Sequence, residues 1–104
     1  MSVFDISPLG DRAGLKLSGE LDLSAVFRLN EALHFDVPQQ GEVTLDLSEL
    51  DFVDSAGLGA ILAYAGERNG NGHLVLANPS NPVARVFELV RLDQHPCIEI
   101  LGTG

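Results

Sequence analysis

The segment DFVDSAGLGAIL, residues 51–62, contains the point at which an apolar strand pattern changes into a helical one. Asp54 and Ser55 stand at that junction, and Gly57 and Gly59 follow them closely. An acid and a serine are typical of a helix N-terminus, where their oxygens accept hydrogen bonds from free backbone N–H groups. Because the residues that follow are small, the segment predicts an accessible serine hydroxyl at the start of a helix.

Alternating strand and helix patterns extend on both sides of this segment. Hydrophobic residues recur with period two in VTLDL, residues 43–47, and in AGLKLSGEL, residues 13–21. Strands are predicted at 3–7, 13–21, 43–47, 73–77 and 98–100. Helices are predicted from Ser24 to about Leu33, from residue 54 to a stop in RNGNG (68–72), and from an N-cap at Asn81 with Pro82 in the first helical position. The buried helical stripes are predicted to be Val26, Leu29 and Leu33; Leu58, Ile61, Leu62 and Ala65; and Val83, Val86, Phe87 and Val90.

The strand patterns also indicate how the layers are arranged. Fully covered parallel sheets have strands that are apolar throughout, whereas the strands at 13–18 and 43–47 alternate apolar and polar residues. One face of the sheet is therefore predicted to be wet, with the helices on the other. The sequence predicts an α/β protein with two layers: a mixed β-sheet of four or five strands, with helices packed mainly on one face, in a single domain over residues 1–104.

The charge balance limits the possible partners. The 104 residues include six basic and fifteen acidic ones, for a formal net charge of −9 at pH 7. A chain with this negative charge repels phosphate backbones and anionic lipids. Neither nucleic acid nor a membrane surface is therefore predicted as a partner. Cys97 is the only cysteine, which excludes an internal disulfide, and the first ten residues lack a secretory pattern. A cytoplasmic location is the default expectation.

The residues do not support an enzyme. The residue two before Ser55 is Val53, so a G-x-S-x-G nucleophile elbow is not formed, and nothing brings His34, His73 or His95 to the serine. The histidines also lack metal-ligand spacing. Lys16 is the sole lysine and lies in a strand, which excludes a P-loop and a response-regulator receiver. The sequence therefore predicts no catalytic residue, no metal site and no cofactor.

From the residues alone, the role of Ser55 stays open. An ordinary N-cap explains it as well as a functional hydroxyl does. Gly57 and Gly59 could simply allow close packing of the helix on the sheet, and Asp22 and Asp54 could be helix caps.

Two segments resemble a known family when they are taken together. SGELDLS, residues 18–24, and LDLSELDFVDSAGLGAIL, residues 45–62, are similar to the STAS domain of bacterial anti-sigma-factor antagonists. The resemblance runs through nearly the whole chain, and the D-S-x-G-L core after an LDLS strand is its most specific part. The chain departs from the family pattern at Ala25, where threonine is frequent, and at Arg91, where glycine commonly precedes L-D.

The resemblance implies a phosphorylation switch. In that family the motif serine, here Ser55, is phosphorylated by a partner that is both a serine kinase and an anti-sigma factor, and the neighbouring acids correspond to Asp54 and Asp22. The unphosphorylated protein would bind this partner and release a sigma factor, and a serine phosphatase would reset the switch. The alternative is a non-switching STAS interaction module in a scaffold or a lipid-transport assembly. The predicted partner-binding residues are Asp22, Leu23, Ser24, Asp54, Ser55, Ala56, Gly57 and Leu58.

Overall fold

The computed structural model describes residues 3–68 and 70–102, which form one five-stranded sheet and three α-helices. In chain order the elements are β1 (Phe4–Pro8), β2 (Gly14–Leu21), α1 (Val26–Phe35), β3 (Val43–Val53), α2 (Ser55–Glu67), β4 (Leu74–Ala77), α3 (Asn81–Leu89) and β5 (Ile98–Leu101). Short 3₁₀ turns at Leu23–Ala25 and Leu92–Gln94 precede α1 and β5.

The sheet is mixed and its strands follow chain order, β1-β2-β3-β4-β5. β1 pairs antiparallel with β2, and each later pair is parallel. Each parallel crossover moves one strand in the same direction, so right-handed connections place all three helices on one face of the sheet. The predicted two-layer α/β fold with a mixed sheet is confirmed.

The core lies between the sheet and the helices. Leu15 and Leu45 from the sheet and Leu29 and Ile61 from the helices are among its fully buried side chains. The outer face of the sheet is drier than the alternation predicts, because Thr44 (3% exposed) and its cross-strand neighbour Val75 (1%) are also buried. The wet pattern that the sequence indicates persists at Lys16 and Asp46, which are partly exposed and pair across β2 and β3.

β3 is six residues longer than the strand predicted at 43–47. Its buried residues after Leu47 are Leu50 and Val53, a spacing of three that hides the strand from a period-two search. The pairing of β2 with β3 shifts register twice, between Lys16 and Ser18 and between Gly19 and Glu20. Such irregularities add a residue on one strand and turn the following side chains to the other face, which accounts for the changed spacing.

The helix boundaries also differ from the prediction at several points. α1 starts at Val26, after a 3₁₀ turn, instead of at Ser24. The N-cap of α3 is Ser80 and its first residue is Asn81, so the predicted cap at Asn81 is wrong. The Ser80 hydroxyl caps nothing and instead donates to the Leu50 carbonyl (2.5 Å), which ties the start of α3 to β3. Val90, predicted in the buried stripe, is 47% exposed because α3 ends one residue before it.

The C-terminal ends of α1 and α2 are joined by a histidine that faces two acceptors. His34 Nδ1 lies 2.7 Å from the Asn30 carbonyl, and Nε2 lies 3.0 Å from Glu67 Oε1. A carbonyl and a carboxylate only accept, so both ring nitrogens can donate only in the imidazolium form. The hydrogen bond to Asn30 first, and then the one to Glu67, raise the pKa of His34 above its ordinary value.

We therefore expect the contribution of His34 to stability to depend on pH. Because its pKa is raised on folding, this contribution is fully present below the unfolded value of about 6.5 and is lost as the pH rises through the folded value. Urea melts of the wild type and of His34→Gln should differ more at pH 5 than at pH 9. An equal difference at the two pH values would contradict this assignment.

Candidate functional site

The sequence-predicted site residues come together where β2 and β3 end. Leu21 and Val53 are the last paired residues of these parallel strands, so Asp22 and Asp54 follow at the same edge of the sheet. The Asp54 N–H donates to the Leu21 carbonyl (3.2 Å), which is the hydrogen bond at the end of the β2–β3 pairing. Neighbouring strands lie roughly 4.8 Å apart, which makes the two acids neighbours. We call Asp22, Ser24, Asp54 and Ser55 the strand-end site.

Both acids are helix caps. Asp54 is the N-cap of α2, and its Oδ1 accepts a hydrogen bond from the Gly57 N–H at 2.8 Å. Asp22 caps the 3₁₀ turn, where its Oδ1 accepts from the Ser24 N–H at 3.0 Å and from the Ser24 hydroxyl at 2.6 Å. The carboxylates are thus held in place by groups on their own turns. The reading of Ser55 as an ordinary N-cap is wrong, because Asp54 occupies that position.

Ser55 is the first residue of α2 and is exposed. Its hydroxyl makes no hydrogen bond to any residue in the described ranges 3–68 and 70–102. Free N–H groups and the positive end of the helix dipole favour an anion at this position. The hydroxyl is therefore accessible to a modifying enzyme, and a negative group attached to it would be tolerated by the helix.

Gly57 has an internal role. It is buried, and a Cβ placed on it would lie 2.5 Å from the Leu21 carbonyl oxygen and 3.1 Å from Val53 Cγ2. Glycine therefore lets α2 pack directly on the end of β2. The residue is covered by its own sheet, and its predicted contact with a partner stays a prediction. Gly59, by contrast, faces open space.

Apolar side chains are exposed close to the strand-end site. Leu23, between the two site residues of the 3₁₀ turn, is 74% exposed, and Phe27, one helical turn later, is 63% exposed. Phe52, two residues before Asp54, is 47% exposed. Phe52 is not among the predicted contacts, because the predicted strand ends at Leu47; a strand continued to Val53 would have marked it as an outward-facing aromatic. Leu58 and Ala56, both predicted contacts, are partly buried.

Among the described residues, no histidine forms a hydrogen bond with a residue of the strand-end site. His34 lies at the other end of α1 and pairs with Glu67, and the Nδ1 atom of His95 accepts a hydrogen bond from the Cys97 N–H at 3.0 Å. Across the described residues, no group of three or more histidines, cysteines and acids is placed to hold a metal ion. Nor does any helix of this part of the chain have the length and apolar character needed to cross a membrane. The arrangement suits binding and modification.

We expect the capping hydrogen bond of Asp54 and its negative charge to have separable effects on stability. Asp54→Ala removes the acceptor of the Gly57 N–H and should lower the free energy of unfolding by about 1 kcal/mol. Asp54→Asn keeps a good N-cap without the charge, so it should stay within a few tenths of a kcal/mol of the wild type. Urea denaturation of both variants measures this. Equal losses in the two variants would show that the charge, and not the cap, stabilises the helix.

The chain matches a family model described as "Mlab, STAS domain" over residues 5–102. It is 32% identical over 84 residues to the anti-sigma-B factor antagonist of Listeria monocytogenes serovar 1/2a, a match that covers 79% of this chain and 74% of that protein.

Two solved structures share the fold. A proposed anti-sigma factor antagonist from Thermotoga maritima superposes with a TM-score of 0.71 at 24% identity, over 96% of this chain and 86% of the other. The anti-sigma factor antagonist SpoIIAA in its unphosphorylated form superposes with a TM-score of 0.64 at 24% identity, over 94% of this chain and 87% of the other. At 24% identity the two solved structures support the fold alone. The evidence from sequence similarity comes from the Listeria relative.

Proposed function

Because this chain belongs to the STAS domain family of anti-sigma factor antagonists, we propose that it binds an anti-sigma factor and so frees a sigma factor for transcription. Members of this family are regulatory binding proteins and not enzymes. The finer part of the proposal is that the anti-sigma factor is also a serine kinase and that phosphorylation of Ser55 ends the binding.

The observation that carries the proposal is the setting of Ser55. Its exposed hydroxyl stands at the N-terminus of α2, beside the capping carboxylate of Asp54 and across the strand ends from that of Asp22. A phosphate would add about −1.5 to −2 charges at neutral pH. The helix N-terminus would accommodate that charge, so the fold would survive. The two carboxylates would repel the phosphate, so the phosphate would change the charge that this surface presents to a partner.

The surroundings of the site support a partner of particular chemistry. Exposed Leu23, Phe27 and Phe52 supply apolar contact area next to two fixed acids. A protein surface with an apolar centre and basic residues at its rim would complement this arrangement, and the net charge of −9 would steer such a partner toward it. Phosphorylation would place a strongly hydrated dianion in the middle of that contact.

The proposed cycle exchanges partners. Unphosphorylated protein holds the anti-sigma factor; the kinase activity of that partner transfers phosphate from ATP to Ser55; and a serine phosphatase restores the hydroxyl. ATP belongs to the kinase, and the chain itself needs no cofactor. The cycle would operate in the cytoplasm, where sigma factors act. The Listeria relative is named as an anti-sigma-B factor antagonist, and structures exist of SpoIIAA in both the unphosphorylated and the phosphorylated form. Both facts support a fold that binds such a partner and tolerates phosphate.

Affinity purification from the native cell tests the proposal. The wild-type protein should retain a protein with an ATP-binding serine kinase domain, and the purified pair should bind each other in calorimetry. Addition of ATP should then dissociate the complex. Stable binding to scaffold or lipid-transport proteins with no kinase and no response to ATP would instead favour the non-switching module.

A further inference from the structure

An open groove lies between α3 and the C-terminal end of β5, the last strand of the sheet. It has a volume of about 760 Å³ and is lined by Ala84, Arg85 and Glu88 of α3, by Arg91 and by Ile100 of β5. This volume is within the range of ligand-binding pockets. We call it the β5 groove. It lies two strands away from β3, which leads into Ser55.

The backbone of β5 presents unpaired groups to this groove. The Leu74 N–H donates to the Cys97 carbonyl at 2.9 Å, and the Asn78 N–H donates to the Leu101 carbonyl at 2.7 Å, so odd-numbered residues of β5 face β4. Ile100 is an even-numbered residue of β5, so its backbone N–H and C=O point away from β4. Its side chain is in register with Leu76, which is fully buried, and so lies on the helix side as part of the groove.

The two edges of the sheet differ in how they are protected. β1 ends in Pro8 and exposes Asp5, and proline and charge are common means of blocking strand addition. β5 also carries an exposed acid, Glu99, but it contains no proline, and within residues 3–68 and 70–102 no other strand pairs with its outer edge. An unpaired edge beside a groove is the arrangement that accepts an added strand.

Two arginines of the β5 groove have no acceptor among the described residues: neither Arg85 nor Arg91 makes an ion pair or a side-chain hydrogen bond. Arg91 also adopts a positive φ of 53°, a conformation that favours glycine. The other basic residues are engaged: Arg12 with Asp11, Lys16 with Glu49, Arg28 over the ring of Phe4, and Arg68 with Tyr64. Glu88 and Asp93 also line the groove, but neither forms an ion pair with these arginines, so the two guanidinium groups are available to bind an anionic ligand group.

We propose that the β5 groove binds an extended peptide of a partner protein, which adds as a sixth strand beside β5. Its backbone pairs with the outward N–H and C=O of Ile100, its apolar side chains alternate into the groove against Ile100 and Phe87, and a carboxylate of the peptide binds Arg85 or Arg91. The free strand edge favours an extended peptide over a compact small molecule. A peptide of four residues spans roughly 13 Å, the length of β5 itself.

A random ten-residue peptide library displayed on phage, selected against the wild-type protein, tests this binding. Selected peptides should combine alternate apolar residues with an Asp, a Glu or a C-terminal carboxylate. Ile100→Pro removes only an outward N–H and leaves the bonds to β4 in place, so it should weaken a selected peptide at least tenfold in calorimetry. Arg85→Gln should do the same, whereas Leu23→Ala, at the strand-end site, should leave the affinity unchanged.

Amide shifts in NMR locate the bound peptide and keep the test decisive if Ile100→Pro folds poorly. The proposal expects the largest shifts at Ile100 and Gly102, and unaltered shifts at Ser55. Three results would overturn it: no enriched peptide, selected peptides that bind Arg85→Gln as well as the wild type, or shifts confined to another face. Concentration-dependent dimers that Ile100→Pro abolishes would also overturn it, because a second copy of the chain would then be the occupant.

Discussion

Ser55→Asp is expected to weaken binding of the anti-sigma factor on the order of 100-fold. A carboxylate at the first position of α2 stands beside the Asp54 carboxylate and across the strand ends from that of Asp22, so it adds a third negative charge to this surface. Binding would remove this charge from water in the apolar centre of the contact, which costs several kcal/mol, and each 1.4 kcal/mol is a factor of ten in affinity. The fold should be unaffected or slightly stabilised, because an acid suits a helix N-terminus.

Two variants separate charge from size at the same position. Ser55→Asn has the size of aspartate without its charge and should bind within a few fold of the wild type. Ser55→Ala should also bind, and since Asp54 is the cap, it should lose little stability. Calorimetry against the purified partner measures all three. Full binding by Ser55→Asp, or an equal loss with Ser55→Asn, would contradict control by charge.

Gly57→Ala is expected to destabilise the protein by about 2 kcal/mol or more, which is unusual for an addition of one methyl group. The new Cβ would lie 2.5 Å from a backbone oxygen, Leu21 O, which belongs to the sheet and cannot rotate away. Separation of α2 from β2 is the only relief, and it would also disturb the Asp54 cap. Thermal unfolding should show a midpoint lower by roughly 10 °C.

Gly59→Ala is the matched control in the same helix. A Cβ at Gly59 meets nothing within 4 Å, so this change should stabilise α2 by up to about 1 kcal/mol through helix propensity alone. Opposite signs for the two alanines would establish that close packing requires Gly57. If both variants were equally stable, α2 would not pack on Leu21 as described.

The fold was largely predictable, because the hydrophobic residues of β2 and of the three helices recur in the sequence with the periods of a strand and of a helix. The end of β3 was not predictable, since register shifts against β2 replace period two by a spacing of three through Leu50 and Val53.

The burial of Arg68 is a second feature that the sequence does not indicate. Arg68 stands in a turn-like RNGNG segment, yet it is 3% exposed and donates to Tyr64 and to the Gly41 carbonyl, with Nε unpaired among the described residues. No local pattern indicates that an arginine will be covered by a distant loop.

The candidate site was predictable in its residues but not in its geometry. The sequence identifies Asp22, Asp54 and Ser55, yet their proximity depends on β2 and β3 being parallel neighbours that end together. The separate roles of these residues were also visible only in the structure. Asp54 caps α2, the Ser55 hydroxyl makes no hydrogen bond among the described residues, and Gly57 is buried against the sheet. The single domain over residues 1–104 and the predicted contacts of Leu23 and Leu58 with a partner stay predictions.

Phosphopeptide mapping, combined with a binding measurement on the same sample, tests the central claim most directly. The purified protein is incubated with the kinase that it co-purifies with and with ATP, and the modified form is isolated and titrated with fresh anti-sigma factor. We expect one phosphate, on Ser55, and affinity reduced on the order of 100-fold. Ser80, whose hydroxyl donates to Leu50, and exposed Ser48 should stay unmodified. Phosphate on either of these serines, or unchanged affinity of the Ser55-phosphorylated protein, would contradict the switch.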